Sequence, residues 1–193
     1  MNNTTYFRYL SSPIGKLLLT SDGEALTGLH MAGLASDVVP RLEAAWKQDD
    51  RVFVPVVEQL EAYFAGASVS FDLPMQMEGT SFQRRVWQEL CQIPYGQTIS
   101  YIELARRVGN PHASRAVGGA NGRNPIAVIV PCHRVIAADG GLGGYGGGLD
   151  RKRWLLEHEA SVLARPAEWR PDASADVITQ SPDEVPCRAR LSS

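Results

Sequence analysis

The stretch NPIAVIVPCHRVIAADG, residues 124–140, constrains this chain more than any other. A turn at Asn124-Pro125 leads into an uninterrupted apolar run, residues 126–130, rich in β-branched side chains. Such a run, bounded by turn residues, predicts a short buried strand. Pro131 stops it, because proline donates no ladder hydrogen bond. Cys132, His133 and Arg134 follow at once, and then a second apolar pair, Val135-Ile136. A thiol and an imidazole therefore stand where a buried element breaks, the arrangement from which rigid reactive sites are built.

These residues leave two readings of Cys132 open. A lone cysteine is most often a buried structural thiol. Here His133 is adjacent, Arg134 adds positive charge, and cationic neighbours lower a thiol pKa from about 8.5 and favour the thiolate. In a regular strand Cys132 and His133 would face opposite ways, so they share a site only if the chain bends at Pro131. No metal is expected. Zinc takes about four ligands, and the three cysteines (Cys91, Cys132, Cys187) and four histidines (His30, His112, His133, His158) contain no Cys-x-x-Cys pair.

A chain of 193 residues with 44% hydrophobic content is long enough for one large or two small domains. It has no signal-like segment and no long apolar run, which predicts a soluble, cytoplasmic protein without membrane association. A reactive free thiol also needs a reducing compartment. The net charge of −2 hides an asymmetry. Residues 1–79 carry 5 Lys+Arg against 10 Asp+Glu, residues 80–165 carry 11 against 6, and residues 166–193 carry 3 against 5. A basic middle on an acidic protein is either an ordinary solvated surface or the footprint of a partner bearing phosphates.

Residues 5–31 read as a β-meander with turns at residues 11–15 and 21–23. Residues 37–46 and 56–64 read as helices, the second closed by Gly66, and residues 69–73 as a further strand. Residues 74–79 read as a linker. Thr80 with Gln83, and Ser100 with Glu103, form two capping boxes that open helices. In the first of these helices Cys91 falls on the apolar face. After Asn110-Pro111 a third helix runs to about Asn121, so residues 100–121 read as a helix-turn-helix. That third helix is built of small residues, among them Gly118 and Gly119, with Arg115 its one long polar side chain before Asn121. Two glycines cost a helix about 1 kcal/mol each. Either tight packing or close approach to a nucleic-acid groove would account for them. Residues 140–148, GGLGGYGGG, form a glycine-rich loop without the Gly-Lys-Ser/Thr ending of a phosphate loop. Asp150 then reads as the cap of a helix over residues 151–160, in which Leu155 and Glu159 share a face. Glu159 is either solvated or drawn inward, where a buried carboxylate needs a partner such as His133. Beyond residue 163 the proline-rich polar composition predicts a disordered tail.

PCHRV, together with Ser100-Tyr101, the run from Ser114 to Ala120, Asn124-Pro125, Gly143-Gly-Tyr145 and Trp154 to Glu159, resembles the O6-alkylguanine-DNA alkyltransferases. The resemblance covers residues 80–160 closely and the N-terminal part more loosely. It implies an N-terminal α/β domain (residues 1–75) of RNase-H-like fold and a mostly helical, winged-helix-like domain (residues 80–163) carrying the helix-turn-helix. A tail (residues 164–193) follows. It implies transfer of an alkyl group from guanine O6, and from thymine O4, in double-stranded DNA to Cys132, once per molecule. No cofactor takes part, and the protein is expected to be a monomer. By the same resemblance His133 takes the thiol proton through a water, Glu159 supports the imidazolium, Tyr101 donates to the base, and Asn124 braces the active-site turn. The Val135 carbonyl, Tyr145 and the Gly146 amide would contact the base. Tyr101, Asn110, Arg115, Gly118, Gly119 and Ala138 would face DNA, with Arg115 filling the stack left by a flipped base. Some relatives carry zinc in the N-terminal domain, but the cysteines for it are absent here. Two other classes use parts of the same pattern. A thiol hydrolase would use the Cys–His pair with turnover, and a non-catalytic damage sensor would keep the helix-turn-helix without needing Cys132.

Overall fold

The computed structural model describes residues 4–32 and 40–165. The meander forms as its turn residues predict. β1 (Tyr6–Ser12), β2 (Gly15–Ser21) and β3 (Leu26–Ala32) pair antiparallel in sequence order, and the short β4 (Lys47–Gln48) adds parallel to β1. The sheet packs its apolar side, with Leu17, Leu19 and Leu29 essentially inaccessible, against α1 (Val54–Ala65). Gly66 ends α1 at φ 73°, a left-handed cap that a residue without Cβ adopts freely.

Two expectations for this half need correction. Residues 40–46 contain no helix, and the rest of that predicted helix, residues 37–39, lies outside the described residues. Residues 69–73 form no continuous strand, and Phe71 makes only an isolated bridge. The segment read as a linker packs on the sheet. Met75 and Met77 are buried, and residues 74–76 hydrogen-bond to Leu26 along the edge of β3 (2.8 and 2.9 Å).

The second half begins with α2 (Ser81–Cys91), whose Thr80–Gln83 capping box is complete and whose Cys91 is buried in the core. β5 (Ile99–Ser100) pairs parallel with β6 (Val135–Ile136). α3 (Tyr101–Arg107) and α4 (Ser114–Asn121) form the helix-turn-helix. Ser100 caps α3 by accepting from the Glu103 amide at 3.1 Å. The last helix is α5 (Leu149–Leu163). Its cap is Gly148, not Asp150, which sits inside the first turn and pairs with Arg153 at 3.1 Å. Of the predicted tail, only Ala164 and Arg165 are described.

The largest correction falls on residues 126–130. Ile126, Val128, Ile129 and Val130 are buried as predicted and Ala127 is half-buried, but the residues form successive turns, not a strand. Val128 has φ 70°, and the Val130 amide donates to the Ile126 carbonyl at 3.0 Å. Left-handed backbone is rare for a β-branched residue, and the surrounding core holds it. Only Leu29 of β3 bridges this segment: its amide donates to Pro125 (2.8 Å) and its carbonyl accepts from Ala127 (3.1 Å). The edge of β3 thus carries the chain into the turn that presents Cys132.

Candidate active site

Pro131 is followed by a single 3₁₀ turn, Cys132–Arg134, so the bend needed to bring thiol and imidazole together is present. Cys132 is 5% exposed and is the free thiol of the described residues. Two asparagines hold the turn. Asn121 Nδ2 donates to the Cys132 carbonyl at 3.3 Å, and Asn124 Nδ2 donates to Val130 at 2.8 Å. Asn124 Oδ1 also accepts from the Ile126 amide at 3.0 Å, which ties both ends of the buried turn to one side chain.

Leu155 packs inward on α5 and brings Glu159 with it, so the carboxylate is fully buried. His133 Nε2 lies 2.8 Å from Glu159 Oε1. A carboxylate only accepts, so this contact fixes the proton on Nε2 and leaves Nδ1 as the basic nitrogen. Nδ1 is buried and has no partner among the described residues. Arg134 grips the same carboxylate, with Nε 2.9 Å from Oε2 and Nη2 3.0 Å from Oε1, and it also donates to the Ile93 carbonyl at 2.6 Å. Tyr63 and the Gly96 amide add two more donors, each at 2.9 Å. Burial pushes the Glu159 pKa up, but His133 and Arg134 outweigh it and hold the group well below the usual carboxylate range. Burial lowers the His133 pKa despite Glu159, so its imidazole rests neutral.

The electrostatics of the thiol differ from the sequence reading. Arg134 points away from Cys132 and spends its charge on Glu159. Burial raises the Cys132 pKa, and the Asn124 side chain, the Lys152 charge and the Tyr145 hydroxyl only partly offset it. The cation serving the thiol is therefore Lys152. Its ammonium is fully buried, donates to the Val135 carbonyl at 2.6 Å, and lies 3.4 Å from the Gly144 carbonyl. Burial lowers its pKa to about 8. The Tyr145 hydroxyl, also buried, has no oxygen or nitrogen partner among the described residues and faces the thiol. The Tyr101 hydroxyl rests on Gly144 at 3.2 Å. Gly143 must lack a Cβ: its φ is 66°, and an added Cβ would stand 2.9 Å from the Tyr101 ring.

Cys132 opens into a cavity of about 1030 Å³. Tyr101, Asn124, Tyr145 and Gly146 line it around the thiol, and Arg115, Gly118 and Ala138 line its outer part. Asn110, Arg115, Gly119 and Ala138 are exposed. Val135 is buried behind the thiol, and Asn110 and Gly119 are not among the cavity residues. Packing within the chain does not require Gly118 and Gly119 to lack a Cβ, whereas Ala120 beside them is buried. A Cβ at Gly118 would come no nearer than 3.8 Å to another group, and one at Gly119 no nearer than 3.5 Å. Sequence reasoning missed Asn121, Lys152 and Tyr63. Lys152 carried one available signal, a lysine three residues before the inward-facing Leu155.

Two family models together match most of the chain. The 6-O-methylguanine DNA methyltransferase ribonuclease-like domain covers residues 5–77, and the DNA-binding domain of the same family covers residues 81–161. The chain is 53% identical over 156 residues to the methylated-DNA–protein-cysteine methyltransferase of Mycobacterium tuberculosis, covering 81% of this chain and 93% of that protein. It is 51% identical over 157 residues to the protein of that name from Methanosarcina acetivorans, covering 81% of this chain and 99% of the relative. Among solved structures it is similar to Mycobacterium tuberculosis OGT in complex with DNA (TM-score 0.75, 51% identity, 81% of this chain and 94% of that one). With both halves matched in order, and with a free buried Cys132 followed by a buried His133–Glu159 pair, the protein belongs to the 6-O-methylguanine DNA methyltransferase family.

Proposed function

We propose that this protein repairs DNA by direct reversal, moving the alkyl group of O6-alkylguanine, and of O4-alkylthymine, onto Cys132. The observation that carries the reading is the polar chain Glu159–His133, which ends beside a free thiol at the floor of a cavity under α4. The target atom is inaccessible inside a duplex, so the nucleotide must be flipped out. Arg115 then fills the vacated stack, and Asn110, Gly118, Gly119 and Ala138 lie along the DNA. The absence of internal crowding at Gly118 and Gly119 supports close approach by a partner.

In the chemical step His133 Nδ1 takes the Cys132 proton through a water, while Glu159 steadies the resulting imidazolium. The sulfur forms a bond to the alkyl carbon, and the carbon–O6 bond breaks with its electrons passing to the purine. The Tyr101 hydroxyl leaves Gly144 and donates a hydrogen bond to the base, whose new negative charge is balanced by the proton held on His133 and is neutralised by protonation from solvent on release, with Lys152 remaining on the Gly144 carbonyl. The Val135 carbonyl and the Gly146 amide contact the base edges, and Tyr145 borders the reacting group. A raised thiol pKa at rest suits a nucleophile that is ionised only when a proton acceptor and substrate are aligned. The product thioether is not hydrolysed, so each molecule acts once. The same reading takes residues 1–75 as RNase-H-like, residues 80–163 as winged-helix-like, and residues 164–193 as a tail dispensable for chemistry. It takes the protein as a cytoplasmic monomer. Replacing Cys132→Ser tests it: alkyl transfer should vanish while binding to duplex DNA persists. Transfer by the serine variant at a comparable rate would refute it.

A further inference from the structure

We infer that Tyr63, from the N-terminal domain, is a positioning residue for alkyl transfer, because its hydroxyl holds the same Glu159 oxygen on which His133 rests. The inference depends on the Cys132–His133–Glu159 reading above and assigns a part of that site to the other domain.

Glu159 Oε1 receives Tyr63 at 2.9 Å, His133 Nε2 at 2.8 Å and Arg134 Nη2 at 3.0 Å. With Arg134 Nε also at 3.3 Å, three residues converge on one oxygen, and Tyr63 comes from a point 96 residues away in sequence. Its ring is fully buried and packs edge-on to Tyr95, at 5.9 Å between centroids, and tilted against Phe71 at 5.4 Å. The backbone of Tyr63 adds a second hold on α5. Its carbonyl lies 2.8 Å from His158 Nε2, and the His158 ring stacks on Trp154 at 4.9 Å. Two consecutive residues of α5, His158 and Glu159, are therefore bonded to one residue of α1.

The hydroxyl can only donate here, since its partner is a carboxylate that Arg134 and His133 keep ionised. Burial and the Glu159 charge raise its own pKa far above the usual range, so it does not exchange a proton with the site. Its action is geometric and electrostatic. It opposes the pull of the Arg134 guanidinium on Glu159, keeping Oε1 in line with His133 Nε2. It also neutralises part of the carboxylate charge that would otherwise raise the His133 pKa. The groups facing the His133–Glu159 pair are Arg134 beside it, Lys152 from α5, Tyr63 from α1, Tyr95 from the segment after α2 and Tyr145 from the loop before α5.

Tyr95 supplies the control. Its hydroxyl is buried in the same aromatic cluster but has no hydrogen-bond partner among the described residues. Tyr63→Phe and Tyr95→Phe each delete one buried oxygen and keep the ring. The test is the first-order rate of methyl transfer from O6-methylguanine in duplex DNA, measured on the bound fraction of the full chain across pH. Tyr63→Phe should slow transfer several-fold, leave DNA affinity unchanged, and move the acidic midpoint of the rate profile upward. Tyr95→Phe should reproduce the wild-type rate and midpoint. Because the rate constant is read from bound protein, partial unfolding lowers only the amplitude. A Tyr63→Phe rate and midpoint equal to wild type would overturn the inference even if its melting temperature fell. Equal slowing by both variants would overturn it too. If wild-type protein transfers no methyl group, it is the proposed function that fails.

Discussion

The floor and the mouth of the cavity are built on opposite plans. At the floor the charged side chains are buried and densely bonded: Glu159 alone takes donors from His133, Arg134, Tyr63 and Gly96. At the mouth, α4 and the loop of residues 140–148 are rich in glycine and alanine, with Arg115 as the long exposed exception. The floor is organised before any substrate arrives, which is what a group that must position a proton acceptor requires. The mouth is shaped by what it omits. Arg134 and Lys152, two of the buried cations, draw the same contrast within the floor. Arg134 is neutralised by Glu159 and acts as structure, whereas Lys152 rests on carbonyl oxygens and keeps a charge that can support a thiolate.

Removing the centre of the floor should have the largest effect. Glu159→Ala leaves Arg134 buried without its carboxylate, a change that costs about 3–5 kcal/mol. Urea unfolding at pH 7 measures it. The pH dependence has a definite sign. The folded pKa of Glu159 lies below its unfolded value of about 4.3, so its contribution is complete above that pH and is lost as acid approaches the folded pKa. The stability gap between wild type and variant should therefore close below about pH 4.

Lys152→Met should divide stability from chemistry. Without the ammonium the Cys132 pKa rises further, so the pH at which iodoacetamide reacts half-maximally moves up. An unchanged midpoint would mean that Lys152 only fills space. Its folded pKa, about 8, lies below the unfolded value, so burial of the charge costs stability most fully below pH 8. As pH rises from about 8 to 10.4 this cost fades, and wild type should gain on the order of 1–3 kcal/mol relative to the variant.

At the mouth the expected effects are smaller and of opposite sign. Gly118→Ala and Gly119→Ala should each stabilise the protein by up to about 1 kcal/mol through helix propensity, since neither methyl meets a close neighbour. Both should weaken DNA binding. A loss of stability would return these glycines to internal packing and erase the contrast with the floor.

Much of this plan was legible before the fold was known, and the gaps have physical causes. The Thr80–Gln83 box, the Gly66 cap and the inward face of Leu155 and Glu159 are local patterns, and they stand where the spacing put them. Residues 126–130 were legible as buried but not as turns, because a run that is apolar on every side has no period to distinguish the two. Nothing local announces that Val128 will be held at φ 70°. Which cation serves the thiol is likewise not a property of neighbours in sequence. Arg134 is two residues from Cys132 and turns to Glu159, while Lys152, twenty residues on, supplies the charge. Tyr63 was invisible for the same reason, since only the packing of α1 on α5 brings its hydroxyl to the carboxylate.

The central claim is that Cys132 is consumed by the lesion it repairs. Intact mass of the full chain after incubation with excess duplex DNA bearing O6-methylguanine tests this most directly. The account predicts a gain of about one methylene per protein molecule, located on the Cys132 peptide, with one lesion repaired per protein. Continued repair beyond one lesion per molecule, or repair that leaves the Cys132 peptide unmodified, would contradict it.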